Sequence, residues 1–231
     1  MIKRLAMFLI FALVCVAAAT ADYTIVQETT VRGDTYTSET IITDEMVRTN
    51  SAESDTIVNS NTGQMTFINH REKNYWVTTL DELQEKLGAA DEGGAVSSIL
   101  QGIMGGDAEV EITKLDETRT IANYETQRYL VTMGKNFRFD LWVAPKLKVP
   151  ATYYDGRKLP GAMAGPMGKQ LEKLYEGMKE IGALSLASDS EMKMMGMTVE
   201  TTTIATEVKT DPVPPTAFDP PAGYTLTDAP F

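Results

Sequence analysis

Most of this chain alternates apolar and polar residues with a period of two, and that limits it to pleated strands. YTIVQETTV (23–31) and TYTSETIIT (35–43) flank Arg32-Gly33-Asp34, a turn signal. EMVRTN, SDTIVNS, QMTFIN and NYWVTT follow, separated by Ser51-Ala52, Asn61-Thr62-Gly63 and His70-Arg71-Glu72-Lys73. Short Thr- and Val-rich runs at regular spacing predict an antiparallel meander.

The period changes at Thr79. In TLDELQEKL, Leu80, Leu83 and Leu87 share a helical face, Thr79 with Glu82 forms a capping box, and Gly88 can end the helix. AVSSILQGIM (95–104) predicts a second short helix. Strands return at 108–115 and 120–133, then at 136–144 after the turn Gly134-Lys135-Asn136. In this last strand Phe137, Phe139, Leu141 and Val143 face one way, and Arg138, Asp140 and Trp142 the other. Pro145 to Pro166 reads as an irregular connection. MGKQLEKLYEGMKEI (167–181) carries the clearest helical stripe: Met167, Leu171, Leu174, Met178 and Ile181. ALSLASDSE and MTVETTTIATEVKT add two strands, and a Pro-rich tail is expected to lie extended along the sheet edge. The order predicts one α+β domain: a large antiparallel sheet with helices gathered on one face.

The N-terminus bounds where such a domain would work. Lys3 and Arg4 precede the uncharged run Leu5–Ala19, and Ala19-Thr20-Ala21 fits a signal-peptidase site. Residues 1–21 are therefore expected to be a cleaved signal peptide and 22–231 the domain. The apolar run is shorter than the ~20 residues of a spanning helix, so no stable membrane insertion after cleavage is expected. Val14 before Cys15 is not the small residue of a lipoprotein signal, so cleavage after Ala21 and a soluble product are expected, with a form lipid-anchored through Cys15 as the alternative. Cys15 is the only cysteine, so no disulfide framework is expected. The formal net charge of −11 argues against nucleic acid and anionic lipid surfaces as partners.

Catalytic and metal signals are sparse. His70, the only histidine, lies in HREK, reads as a solvated turn residue and has no co-ligands for zinc. With Cys15 removed, Ser-His and Cys-His chemistry lack partners. Gly165-Pro-Met-Gly-Lys169 departs from a P-loop in its first glycine and in Gln170. Acidic pairs such as Asp81-Glu82 read as solvated surface. The expectation is a protein that is not an enzyme and carries no cofactor.

EMKMMGM (191–197) holds four methionines. Alternation puts Met192 and Met194 on one strand face, with Gly196 as turn or bulge. Met suits irregular apolar surfaces and variable ligands, and thioethers can also hold Cu(I), which would engage Met192, Met194 and Met197.

Met46-Val-Arg48, Lys73-Asn-Tyr75, Thr120-Ile-Ala-Asn-Tyr124, Leu141-Trp-Val-Ala144 and Phe218-Asp-Pro-Pro-Ala-Gly-Tyr224 occur in this order. The set resembles a family of exported bacterial proteins, without established activity, related to the LolA/LolB-like lipoprotein carriers. The resemblance covers nearly all of the chain beyond the signal. It implies a strongly curved antiparallel sheet, a half-barrel, with helices packed on its concave face. In characterised members of the superfamily that hollow holds acyl chains of lipoproteins or lipids; others serve as sensors or scaffolds. A periplasmic or secreted protein binding a hydrophobic ligand or a lipidated protein is thus expected. The alternatives are an envelope sensor with no small ligand, and Cu(I) binding. Each buried methylene contributes about 0.8 kcal/mol, so a chain of roughly 14 gains about 11 kcal/mol before association costs. The residues expected to line the hollow are Phe67, Tyr75, Phe137, Phe139, Leu141, Met167, Leu171, Leu174, Met178, Met192 and Met194.

Overall fold

The computed structural model describes residues 22–79, 81–83, 85–86, 109–150, 153–154, 168–194 and 197–229. The signal-peptide reading and the helix expected at 95–104 lie outside these residues.

Six short strands form the N-terminal meander: β1 (Tyr23–Val31), β2 (Asp34–Ile42), β3 (Met46–Asn50), β4 (Ser54–Asn59), β5 (Gln64–Asn69) and β6 (Asn74–Thr79). The chain then contributes β7 (Val110–Ile121), β8 (Tyr124–Met133), β9 (Phe137–Lys148), helix α1 (Gly168–Ile181), β10 (Ala183–Met194), β11 (Met197–Lys209) and β12 (Thr225–Leu226). The twelve strands among the described residues join one sheet in the order β12-β6-β5-β4-β3-β2-β1-β11-β10-β9-β8-β7. Every pairing is antiparallel except the short parallel contact of β12 with β6. β1 and β11 meet in the middle and join two consecutive meanders.

The sheet is curved. β7 and β11 stand four places apart in the order, and adjacent strands sit about 4.8 Å apart, so a flat sheet would separate them by roughly 19 Å. Here their Cα atoms come within 8 Å. The sheet remains open, because β7 and β12 end the order without pairing to each other.

Local sequence explains several corners. Val31 pairs with Asp34 across Arg32 (φ 53°) and Gly33 (φ 93°), a two-residue turn with both central residues left-handed. Thr79 and Glu82 form the expected capping box: Glu82 N donates to Thr79 Oγ1 at 3.2 Å, and Thr79 N to Glu82 Oε2 at 3.1 Å. Residues 81–83 and 85–86 are helical.

Two boundaries differ from expectation. The run 120–133 is not one strand: it breaks at Ala122-Asn123, both at positive φ, so Ile121 pairs with Tyr124. Asn tolerates this conformation, whereas Ala seldom adopts it, so the turn carried little signal. Pro145 does not end β9, which runs on to Lys148. The register of β10 against β9 jumps from Val143 to Lys148, and Pro145 lies in that bulge, where no ladder hydrogen bond is asked of it.

The core gathers Tyr23, Ile25, Ile42, Val47, Leu147 and Leu186 with Tyr153 and Tyr154, and Met178 of α1 packs against it. α1 approaches the sheet through Gly177, where a side chain would collide with the Ile112 methyl of β7. The tail leaves β11, forms a 3-10 turn at Pro215–Phe218 and ends against the β6 edge. This meets the expectation of an extended edge segment, but the tail also binds the face of the sheet. Among the described residues no helix is long and apolar enough to cross a membrane.

Candidate functional site

Cross-strand register sorts the predicted lining residues by face. Ile112 pairs with Val131, which pairs with Phe139, so these side chains share the face on which α1 lies. Phe137, Phe139 and Leu141 alternate onto that face, and Leu141 pairs with Ser188, which pairs with Thr203. Next to this row, Ile25 of β1 pairs with Thr40 of β2. These strands floor a cavity of about 330 Å³, and Met178, Tyr153 and Tyr154 complete its wall. The remaining lining comes from Gln27, Leu184, Ser185 and Ala187.

Of the eleven residues expected from sequence, Leu141 and Met178 line this cavity. Phe137 is buried in the β9 floor beyond it, and Phe139 is half-buried beside it. Leu174 is half-buried on α1, and Met192 is half-buried opposite Phe137 and Val199. Met194 pairs through its backbone with Met197, whose side chain is exposed; Met167 and the side chains of Leu171 and Met194 lie outside the described residues.

Phe67 and Tyr75 separate. Phe67 pairs with Trp76, and the two rings stack at 4.1 Å between centroids. Tyr75 pairs with Ile68 on the opposite face. Phe67 and Trp76 line a different, open depression of about 700 Å³ beside His70 and Arg71, and none of its described lining residues comes from α1.

The cavity is more polar than the sequence reading supposed. Gln27, Thr40, Ser185, Ser188 and Thr203 bring side-chain polar groups to it. In sequence these residues looked like ordinary strand formers. Their signal was their inward phase in β1, β2, β10 and β11, readable only once register is known.

Tyr23 closes the neighbouring core. Its hydroxyl donates to Lys148 O at 2.7 Å, and burial, with Tyr124 nearby, pushes its phenol pKa up.

On the opposite face of the first meander lies a polar network that sequence reasoning missed. Asp55, 2% exposed, accepts from Arg48 Nη2 at 2.6 Å and stands 2.8 Å from His70 Nε2. The other ring nitrogen, Nδ1, shares a hydrogen bond of 3.0 Å with the Tyr224 hydroxyl. Arg48 Nη1 also donates to Ala217 O at 2.6 Å and Asp219 O at 3.2 Å. His70 is therefore no free turn histidine: it bridges sheet and tail. The chain carboxylate–imidazole–hydroxyl is the order that activates serine nucleophiles. Here the hydroxyl is phenolic and held by the tail, and the network's evident effect is to fasten that tail.

A second polar group lies on the outward side of β8 and β9. Asp140 accepts from Arg128 at 2.6 Å and Arg138 at 3.1 Å, and the Arg119 guanidinium sits 4.0 Å from the Trp142 ring centroid. Burial works to raise the Asp140 pKa, but hydrogen bonds from Arg138 and Arg128 outweigh it and hold the carboxyl below its ordinary value.

No family model matches the chain. No curated protein matches it either. Among solved structures, an uncharacterized conserved protein from Thermus thermophilus superposes with a TM-score of 0.49 at 5% identity, over 91% of both chains. PNGF-II aligns with a TM-score of 0.43 at 12% identity over 90% of this chain, which spans 32% of that protein's length. MucB aligns with a TM-score of 0.42 at 11% identity, over 89% of this chain and 59% of MucB. Likeness at this level carries no argument about function, and the open curved sheet rests on its own strand pairing.

Proposed function

We propose that the protein is a non-catalytic binding protein of an extracytoplasmic compartment, holding the apolar part of a lipid or lipidated partner beneath α1 on the concave side of its sheet. The cavity of about 330 Å³ is the observation that carries this reading. It lies at the lower end of the range of ligand pockets, roughly 300–1,000 Å³. Leu141, Leu184, Ile25 and Met178 supply the apolar contacts an acyl chain needs.

Met192 is read as packing in this account. Its register partners are Val199 and the buried Phe137, a setting that favours a thioether as filler over a metal ligand.

Leu141→Trp tests the proposal. The larger ring should occupy the cavity, abolish 1:1 uptake of a ten-carbon fluorescent amphiphile and leave the melting temperature nearly unchanged. Undiminished uptake by a folded variant would place binding elsewhere and end this reading.

A further inference from the structure

We infer that the ligand seated under α1 carries an uncharged, hydrogen-bonding head group, received by Gln27, Thr40 and Ser188. This rests on the binding reading above and specifies the ligand's chemistry.

The three residues come from β1, β2 and β10, yet they line one cavity. Thr40 stands beside Ile25 in register and is 4% exposed. Gln27 lies two residues along β1 on the same face, and Ser188 faces Thr203 across β11. None of the three has a side-chain hydrogen-bond partner among the described residues. Their neighbours do: Thr203 Oγ1 pairs with Thr29 Oγ1 at 3.0 Å, and Ser185 Oγ donates to Ala187 O at 2.9 Å. Protein interiors rarely leave a buried hydroxyl unmet, so Thr40, turned to a cavity beside the half-buried Gln27 and Ser188, marks a place where something polar is received.

The chemistry of that something is bounded. Among the described residues, the twelve that line the cavity include no Lys, Arg, His, Asp or Glu. An ionised carboxylate or ammonium drawn in would lose its hydration without meeting a counter-charge. Two hydroxyls and a carboxamide can instead both donate and accept, which suits an alcohol, an ester glycerol or an amide. A neutral amphiphile, such as a fatty alcohol or a monoacylglycerol, meets both the apolar and the polar half of the site.

The test uses the ligand-stripped full chain and three ten-carbon probes: 1-decanol, decanoate at pH 8 and decane, each competed against a fluorescent amphiphile. Decanol should bind 1:1 and at least tenfold more tightly than decanoate. Thr40→Val with Gln27→Leu should erase that preference while decane binding holds or rises. Ser188→Ala, at a half-buried position, should weaken decanol severalfold and guards against misfolding of the double variant. Decanoate binding as tightly as decanol, or a preference that survives all three substitutions, overturns the head-group inference and leaves the apolar cavity standing. Failure of every probe to bind overturns the cavity reading itself, and this inference with it.

Discussion

Arg48 donates to Asp55 at 2.6 Å, and the pair is almost wholly withdrawn from water, with side chains 12% and 2% exposed. The two residues lie diagonally across adjacent strands, β3 and β4, where Arg48 pairs with Ile57 and Asn50 with Asp55, and the tail closes over them through the carbonyls of Ala217 and Asp219. A buried ion pair owes its persistence to such extra hydrogen bonds, since desolvation otherwise cancels the attraction.

Removing one partner should therefore be costly. Asp55→Ala removes the carboxylate that Arg48 and His70 share, leaving a buried guanidinium with no counter-charge, and should destabilise the fold by about 3–5 kcal/mol in urea unfolding. Replacing both charges, as Arg48→Met with Asp55→Leu, should recover much of that loss. Equal destabilisation by the single and double variants would mean that the pair is not the source of the effect.

The tail should loosen separately from the fold. Tyr224→Phe removes one hydrogen bond to His70, worth about 1 kcal/mol. The amides of Thr225 and Thr227, which donate to Lys73 O and Tyr75 O, should then exchange faster while amides of β1 and β11 stay protected. Unchanged exchange at Thr225 and Thr227 would show that the tail is held by other contacts.

How far the sequence reaches is clear at these residues. Alternation correctly predicted that Phe137, Phe139 and Leu141 share a face, because that property is local to one strand. It could not say that Phe67 faces Trp76 rather than Tyr75, since a one-residue slip in pairing moves every side chain to the other face. Nor could it find Asp55, which strand pairing places in a row with Ile68. Whether that row meets water or the tail depends on contacts more than 150 residues apart in sequence, such as His70 with Tyr224. The capping box was legible because its four residues determine their own geometry. The polar wall of the cavity was not, because Thr and Ser in a strand carry no mark of which neighbour satisfies them.

The seat of α1 is open to a direct test. Gly177→Ala should push the helix off Ile112 and cost about 1–3 kcal/mol. Ile112→Ala in the same chain should give back part of that loss, a coupling that a double-mutant cycle would read as non-additivity. Additive losses would mean that the two residues do not meet in solution.

Tyr23 should shape the alkaline limit of stability. Its pKa is raised in the fold by burial and by Tyr124, so its contribution is complete below the ordinary tyrosine value of about 10. As pH rises past that value the unfolded phenol ionises first, and the contribution is lost as pH climbs through the folded pKa. Tyr23→Phe should lower stability at neutral pH by about 1 kcal/mol, through loss of the bond to Lys148 O, and flatten the decline above pH about 10. A variant that declines as steeply as the parent would contradict this.

The claim on which the account turns is that the space under α1 holds a ligand. Native mass spectrometry of the protein purified from its own host, without detergent, reads that most directly. The spectrum should show a second species heavier by one neutral amphiphile, absent after organic extraction and absent from Leu141→Trp. A single species at the bare chain mass, with no mass added when the extracted protein is mixed with 1-decanol, would contradict it.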